Sequence, residues 1–335
     1  MRVDTPLMLL PYSGGVDALL LLVIALIVDA CIGDSAWLRR FMPGPADLVA
    51  RAVALYDRRL NRIDRSDGVR RARGSLVTLL LLVLGGLVGF CLSVLVRHIP
   101  AGGFVELLIL ARCLTLRLPW GAMGRTVVAV EGRDVEAARQ AVGPLTDRQL
   151  WSLDDHGTLR AAVEGAARAL THGVVAPALF YTLFGLAGLL AWAAMDGTVR
   201  VIGHDTPRHA HFGALARRLS SLLGLPAALI AALVILLSAS FVPRASAIKG
   251  LRDVKAAKGH PMGADALPIA AFAGVLDLSV AGPRREGDRV VKEPWLGSGR
   301  ARATPRDLRA AMALYAIAAL IAAGLVVLSG LAAAY

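Results

Sequence analysis

Three stretches of this chain run for twenty residues or more without a charged side chain. Leu76–Leu95 holds one Thr and one Ser, and Leu222–Val242 and Met312–Tyr335 are equally free of charge. A helix rises about 1.5 Å per residue, so roughly 20 apolar residues cross a hydrocarbon core of about 30 Å. Each run is therefore long enough to be a membrane-spanning helix. Composition agrees: 56% of the 335 residues are hydrophobic and the mean hydropathy is +0.61, where soluble domains sit near roughly 45–50% apolar. The expected fold is all-α, a polytopic integral membrane protein of five to six membrane helices with amphipathic cytoplasmic helices between them.

The net charge is +12 and the pI about 10.5. The arginines cluster in segments beside apolar blocks, which reads as orientation in a membrane rather than as a nucleic-acid surface. No zinc-finger spacing and no RNP-like aromatic motif is present. The expected partner is a lipid bilayer, with no nucleic acid, and the expected location is the cell membrane, in a bacterium the inner membrane. Cys31, Cys91 and Cys113 lie in or beside apolar segments without a CxxC pair, so they read as small buried hydrophobes. Only Arg2 precedes Asp4, and no A-x-A site follows the first apolar run. A cleaved signal peptide is not expected.

Along the chain, Ala18–Ile32 is the first apolar segment, interrupted by Asp29. An Arg-rich stretch from Gly33 to Gly74 follows, with Arg39 and Arg40 near its start. Within it Asp47–Leu60 has amphipathic spacing and is expected to lie on the membrane surface. Phe104–Leu118 is apolar but contains Glu106, Arg112 and Arg117. Val127–Leu170 is polar, with amphipathic helices expected over 133–142 and 158–170. Ala264–Val280 reads as a weakly apolar helix in the last long loop. No internal repeat is present.

The positive-inside rule arbitrates the ambiguous segment. If Phe104–Leu118 crosses, 29 Lys/Arg fall on one side and 6 on the other. If it does not, the split is 23 against 14, with Arg112 and Arg117 of the segment counted in the 23. The sharper split predicts spans at 18–32, 75–96, 104–118, 174–195, 222–242 and 312–334. Loops 33–74, 119–172 and 243–309 are then cytoplasmic, within a single membrane domain. Glu106 and Arg112 would sit at membrane depth, six residues apart and badly placed to pair. They need partners on other helices or a wet cavity; a re-entrant helix is the alternative.

Several local patterns fall in a recognisable order. Asp29-Ala-Cys-Ile-Gly33-Asp34 ends the first segment, and Arg58-Arg59-Leu60-Asn61-Arg62 and Arg70–Gly74 precede the second. Leu153-Asp154-Asp155-His156-Gly157, Arg160-Ala-Ala-Val-Glu164 and Gly173-Val-Val-Ala-Pro177 follow. Later come Arg208, Phe212-Gly213, His260-Pro261, Ala270-Ala-Phe-Ala-Gly274 and Pro294-Trp-Leu-Gly297-x-Gly299, then Asp307. This order resembles the CobD/CbiB family of cobalamin biosynthesis. The resemblance implies a membrane enzyme that joins aminopropanol or its phosphate to a propionate of cobyric acid, an ATP-dependent amide ligase of adenosylcobinamide-phosphate synthase type. It implies Mg²⁺ and ATP as cofactors and a corrinoid substrate.

The chain departs from the family pattern at its polar positions. Arg-Asp-Thr reads Arg148-Gln149-Leu150, and E-S-x-x-E-N reads Glu164-Gly165-Ala166-Ala167-Arg168-Ala169. The Asp before Gly-Val-Val is His172. N-T-L-D-S reads Asp196-Gly197-Thr198-Val199-Arg200, R-L-D-D ends in Ser220-Ser221, and H-P-S-P-N reads His260-Pro261-Met262-Gly263-Ala264. Most side chains that could hold Mg²⁺ are gone. The candidate catalytic residues on matching positions are Arg148, Glu164, Arg208 and His260. Asp34, Asp154 and Asp155 are candidates for binding substrate or cofactor, and no metal ligand set is assigned. The plain alternative for Glu164 is an i±4 salt-bridge ladder with Arg160 and Arg168. His204, His209 and His211 have no regular ligand spacing, and no GxSxG, HExxH or P-loop occurs. Two functions stay open: the corrinoid amide ligase, or a non-catalytic membrane paralogue with a scaffold or regulatory role.

Overall fold

A computed structural model describes residues 18–35, 37, 41–204, 206–286 and 289–334. Residues 1–17, on which the expectation about a signal peptide falls, lie outside the described residues, as do Arg39 and Arg40. The chain forms two compact units that interleave in sequence. One comprises the chain up to Leu114, Ala176–Gly224 and the end from Val326; the other comprises Thr115–Val175 and Leu225–Leu325.

The helices are α1 Ala18–Ile32, α2 Pro45–Leu60, α3 Asp67–Arg97, α4 Gly102–Cys113, α5 Arg117–Glu131, α6 Val135–Val142, α7 Asp155–Leu170, α8 Ala176–Ile202, α9 Ala214–Ser238, α10 Ala247–Ala256, α11 Ala266–Val275 and α12 Pro305–Ala334. Four stretches are long and apolar enough to cross a membrane: Asp67–Arg97, Asp155–Ile202, Ala214–Phe241 and Pro305–Ser329. The protein is an all-α integral membrane protein. Among the described residues, strand is confined to β1 Val280–Ala281 with β4 Trp295–Leu296, and β2 Arg284–Glu286 with β3 Arg289–Val291, both pairs antiparallel.

In the first unit α3 packs against α8 through a Gly-x-x-x-Gly pair. A methyl group at Gly85 would stand 2.7 Å from the Leu190 carbonyl oxygen, and one at Gly89 would stand 2.3 Å from that of Leu186. Only glycine lets the two backbones approach so closely. Below this crossing Val53, Val77, Leu81, Ile202, Phe212 and Ala216 form a buried core. α2 therefore docks by Val49 and Val53 on the protein itself. The sequence reading places this helix on the membrane surface; Val49 and Val53 turn onto the core shared with α3 and the end of α8, while Leu48, Leu55 and Tyr56 stay exposed.

The segment expected to cross at 104–118 is two pieces. α4 has 12 residues and rises roughly 18 Å, short of a hydrocarbon core. It stops where Leu114 turns extended (φ −86°, ψ 152°), and α5 begins at Arg117. Its two charges do find partners on other elements, as the spacing required. Tyr181 Oη donates to Glu106 Oε1 at 2.7 Å, and Arg112 Nε donates to the Met42 carbonyl at 2.8 Å. The cysteines overturn an expectation: Cys31 and Cys91 are exposed and Cys113 is half-buried. In a membrane helix apolar surroundings mean lipid as readily as core, so hydrophobicity does not imply burial.

In the second unit the polar segment is more helical than its sequence suggests, because α5 precedes the two amphipathic helices. A π-helical turn, Thr171–Val175, leads on from α7. Pro177 has no N–H to give the Gly173 carbonyl, and Thr115 N donates to that oxygen instead at 2.9 Å. The helix expected over 264–280 ends early, at Val275, and β1 follows.

Candidate functional site

The second unit gathers the polar residues of α7 and its flanks. Asp154 caps the helix, its Oδ1 accepting from Gly157 N at 2.6 Å, and Asp155 opens the first turn. Arg139 fixes this corner by donating from Nε and Nη2 to the Leu153 carbonyl at 2.9 and 2.7 Å. Ten residues on from the cap, Glu164 is 3% exposed. Its Oε2 pairs with Arg148 Nη2 at 3.0 Å and its Oε1 with Arg168 Nη2 at 3.3 Å. Arg168 also reaches Asp147 at 3.2 Å. Arg160 turns away from Glu164, donating to the Ala301 carbonyl and lying 5.6 Å over the Trp295 ring. The expected ladder is thus half right: Arg168 joins it, and Arg148 replaces Arg160.

One turn on, His172 Nε2 pairs with Asp265 Oδ1 at 2.8 Å. His260 closes a separate tie. Met262 N donates to its Nδ1 at 3.2 Å, so Nε2 carries the proton that faces the Pro294 carbonyl at 3.1 Å. His260 in this way pins the Pro294-Trp295 turn.

The residues that depart from the family pattern largely answer one another. Arg168, where the pattern has Glu, neutralises Glu164. His172, where it has Asp, pairs with Asp265. In the first unit Asp196 and Arg200, where it has Asn and Ser, pair at 2.6 Å. The carboxylates of Glu164, Asp265 and Asp196 are thereby paired internally. No three His, Cys, Asp or Glu side chains come together among the described residues. Mg²⁺ beside a nucleotide keeps several waters and takes one or two carboxylates with the phosphates; the paired Glu164, Asp196 and Asp265 do not fit that role.

Arg208 belongs to a cluster in the first unit. Its Nε and Nη2 both donate to Asp57 Oδ2, at 3.0 and 2.7 Å. Asn61 Nδ2 donates to Asp57 Oδ1 at 2.7 Å and to the Arg208 carbonyl at 2.9 Å, while Arg70 donates to Asn61 Oδ1 at 3.0 Å and to the Arg208 carbonyl at 2.6 Å. Four side chains from α2, α3 and the 203–213 loop thus lock that loop in place. Burial would raise the Asp57 carboxyl, but Asn61, Arg208 and the nearby His209 outweigh it and hold it below its usual value. Burial pushes the His209 imidazole down despite Asp57 at 3.3 Å. The three loop histidines do not converge. His204 meets the Arg200 carbonyl, His209 faces Asp57 and Thr206, and His211 lies 3.3 Å from Asp67. Asp34 stands two residues beyond α1, half-buried.

The structure therefore joins Arg148 to Glu164, gives Asp154 a capping role, and commits Arg208 and His260 to structural partners. Sequence reasoning did not single out Asp57, Asn61, Arg70, Asp147 or Asp265. The i,i+4 spacing of Asp57 and Asn61, and the place of Asn61 and Arg70 within the Arg58–Arg62 and Arg70–Gly74 motifs, were the available signals. A cavity of about 300 Å³ in the first unit, lined by Leu82, Phe180, Phe184, Gly188, Ala191, Trp192 and Leu223, has no polar lining and offers no chemistry.

No solved structure matches the chain. Among curated proteins, a cobalamin biosynthesis protein CobD of a Sinorhizobium species is 36% identical over 315 residues, covering 92% of this chain and 97% of the relative. The protein of that name from Sinorhizobium fredii is 36% identical, covering 90% and 93%, and that of Rhizobium meliloti 34%, covering 89% and 93%. The family described as CobD/Cbib protein matches residues 22–315, and the chain belongs to that family.

Proposed function

We propose that this protein works in cobalamin biosynthesis, embedded in the bacterial inner membrane, at the step that joins aminopropanol or its phosphate to a propionate of cobyric acid. The observation that carries the reading is the end-to-end similarity to proteins named for that pathway, at 36% identity over 92% of this chain. In the reaction the amine nitrogen bonds to the propionate carbonyl carbon and a carboxylate oxygen leaves. A carboxylate does not release oxide, so ATP first converts it to an acyl phosphate and the oxygen departs as phosphate. This chain's own contribution is a set of fixed guanidinium groups at Arg148, Arg160 and Arg168, suited to phosphate or carboxylate by bidentate hydrogen bonding. Glu164 orients two of them. No step is assigned to Mg²⁺.

One observation favours the second reading, a non-catalytic membrane paralogue. Both Glu164 oxygens are engaged by arginine, which leaves the carboxylate no lone role in binding an amine or a cation. Expression in a strain lacking its own family enzyme, with growth made dependent on the corrinoid, separates the two. Rescued growth, with cobinamide or its phosphate found by mass spectrometry, supports the ligase. Stable membrane expression without either product rejects it in favour of the paralogue.

A further inference from the structure

The second unit carries an exposed amphipathic face that its core does not use. Along α9 the side chains of Leu225, Leu229, Leu233, Leu237 and Phe241 are all exposed. They recur every four residues, the stripe of a helix that faces lipid. The chain then turns at Val242–Ala245, where Arg244 takes φ +67°, and re-enters helix as α10, capped by Ser246 Oγ accepting from Lys249 N. α10 does not leave the end of the span. A methyl group at Gly250 would stand 2.7 Å from Leu236 Cδ2, in the last turn of α9, and 2.7 Å from Val275 Cγ2 of α11. The inner face of α10 is thereby clamped to the boundary of the membrane helix, with Gly250 and Asp253 buried.

Its outer face is Ile248, Leu251, Arg252 and Lys255, at the i, i+3, i+4 and i+7 positions. Ile248 is 83% exposed, and Leu251, Arg252 and Lys255 are exposed with it. Exposed Arg244 and Lys258 flank the helix at either end. The only acid on α10 is Asp253, which is buried, accepts from Ser298 N at 3.0 Å and pairs with Arg252 Nε at 3.6 Å, leaving the Arg252 side chain exposed. Lys249, at the edge of the face, is neutralised by Asp277 at 2.9 Å. Two exposed apolar side chains ringed by four cations, held at the mouth of a membrane helix, have the composition of an interfacial helix. Long Arg and Lys stems lie along such a surface while their heads reach outward.

We propose that α10 lies in the membrane interface and that Arg244, Arg252, Lys255 and Lys258 take the phosphate headgroups of anionic lipids, with Ile248 and Leu251 sunk among the upper acyl carbons. Exposed Phe241, the last side chain of the α9 stripe, stands seven residues before exposed Ile248, so the occupant is the leaflet that already surrounds α9. Through Asp253 and the Ser298 hydroxyl, which accepts from Arg252, the helix also touches the Pro294–Gly299 turn, giving the lipid surface a mechanical path to it.

The test uses the full chain in nanodiscs of phosphatidylcholine alone and of phosphatidylcholine mixed with phosphatidylglycerol. An Ile248→Cys variant, with Cys31, Cys91 and Cys113 replaced by Ser, carries an environment-sensitive fluorophore. Quenching by lipids with a nitroxide high on the acyl chain reports immersion. Hydrogen exchange over residues 246–258 of the unaltered protein gives a second reading that needs no cysteine replacement. The expected result is stronger quenching and slower exchange with phosphatidylglycerol, weakened by salt. Lys255→Gln and Lys258→Gln should each lower the immersed-to-exposed ratio about fivefold. Unquenched label and equal exchange in both discs overturn the proposal. Immersion that ignores phosphatidylglycerol and salt overturns the headgroup assignment.

Discussion

Glu164→Gln removes one charge from a place where two guanidinium groups depend on it. The carboxylate is 3% exposed, and the Arg148 and Arg168 side chains are 12% and 27% exposed. Deleting one partner of a buried pair costs about 3–5 kcal/mol, because the charge left behind has no compensation. Two features reduce that here. Gln keeps one acceptor oxygen, and Arg168 keeps Asp147 at 3.2 Å. The expected loss is therefore about 2–3 kcal/mol, carried mostly by Arg148. Thermal unfolding of the detergent-purified protein measures it. In a cycle with Arg148→Gln, the double variant should lose less than the sum of the singles by about 1–2 kcal/mol. If Glu164→Gln leaves unfolding unchanged and yet abolishes cobinamide formation, the carboxylate acts on substrate and the reasoning from neutralised charge is wrong.

Three further outcomes follow from the geometry. Equilibrium binding of labelled ATP to the purified protein should show no micromolar, Mg²⁺-dependent component, because Glu164 and Asp265 are already paired with arginine and histidine; such a component would show that these pairs do not keep the cation out. Stability should fall on acidification in two stages. Protonation of the buried His209 is resisted in the fold, so its contribution is full above pH 6.5 and lost as pH drops through its lowered value; that of Asp57 is full above pH 3.8 and lost below it. His209→Gln should flatten the upper stage of an unfolding-against-pH curve while leaving the lower one. Cysteines introduced at Trp151 and Pro207 should be labelled from the cytoplasmic and the outer side respectively, following the Lys/Arg asymmetry; reversed labelling would sink that orientation.

The spans were legible because length and apolarity are local properties. Leu76–Leu95 needs no tertiary knowledge to be a membrane helix, and its helix merely overruns it into polar turns at Asp67 and Arg97. The break at Leu114 was not legible, since the chain stays apolar through it and the Thr115–Gly173 hydrogen bond that accommodates it comes from 58 residues away. Pro119 was the nearest local sign, three residues into the next helix. At the candidate site, i,i+4 spacing made Glu164 with Arg168 and Asp196 with Arg200 readable. Pairings across large separations, such as Arg208 with Asp57 and His172 with Asp265, have no trace in spacing, and a loop arginine looks alike whether it waits for phosphate or holds a carboxylate.

The hydrogen bond from Tyr181 to Glu106 imposes an order on biogenesis. The phenol lies 75 residues downstream of the acid. A ribosome adding about 5–20 residues per second needs roughly 4–15 s to supply it. During that interval α4 has a carboxyl group near its middle, Arg112 near its end, and too few apolar residues to favour lateral release into lipid. The nascent segment must therefore wait at the insertion machinery, or on the wet side of the bilayer, until α8 emerges and the two enter as a pair. Truncating translation between residues 115 and 180 should leave a cysteine placed in α4 open to a water-soluble thiol reagent, whereas a chain long enough to expose α8 should protect it.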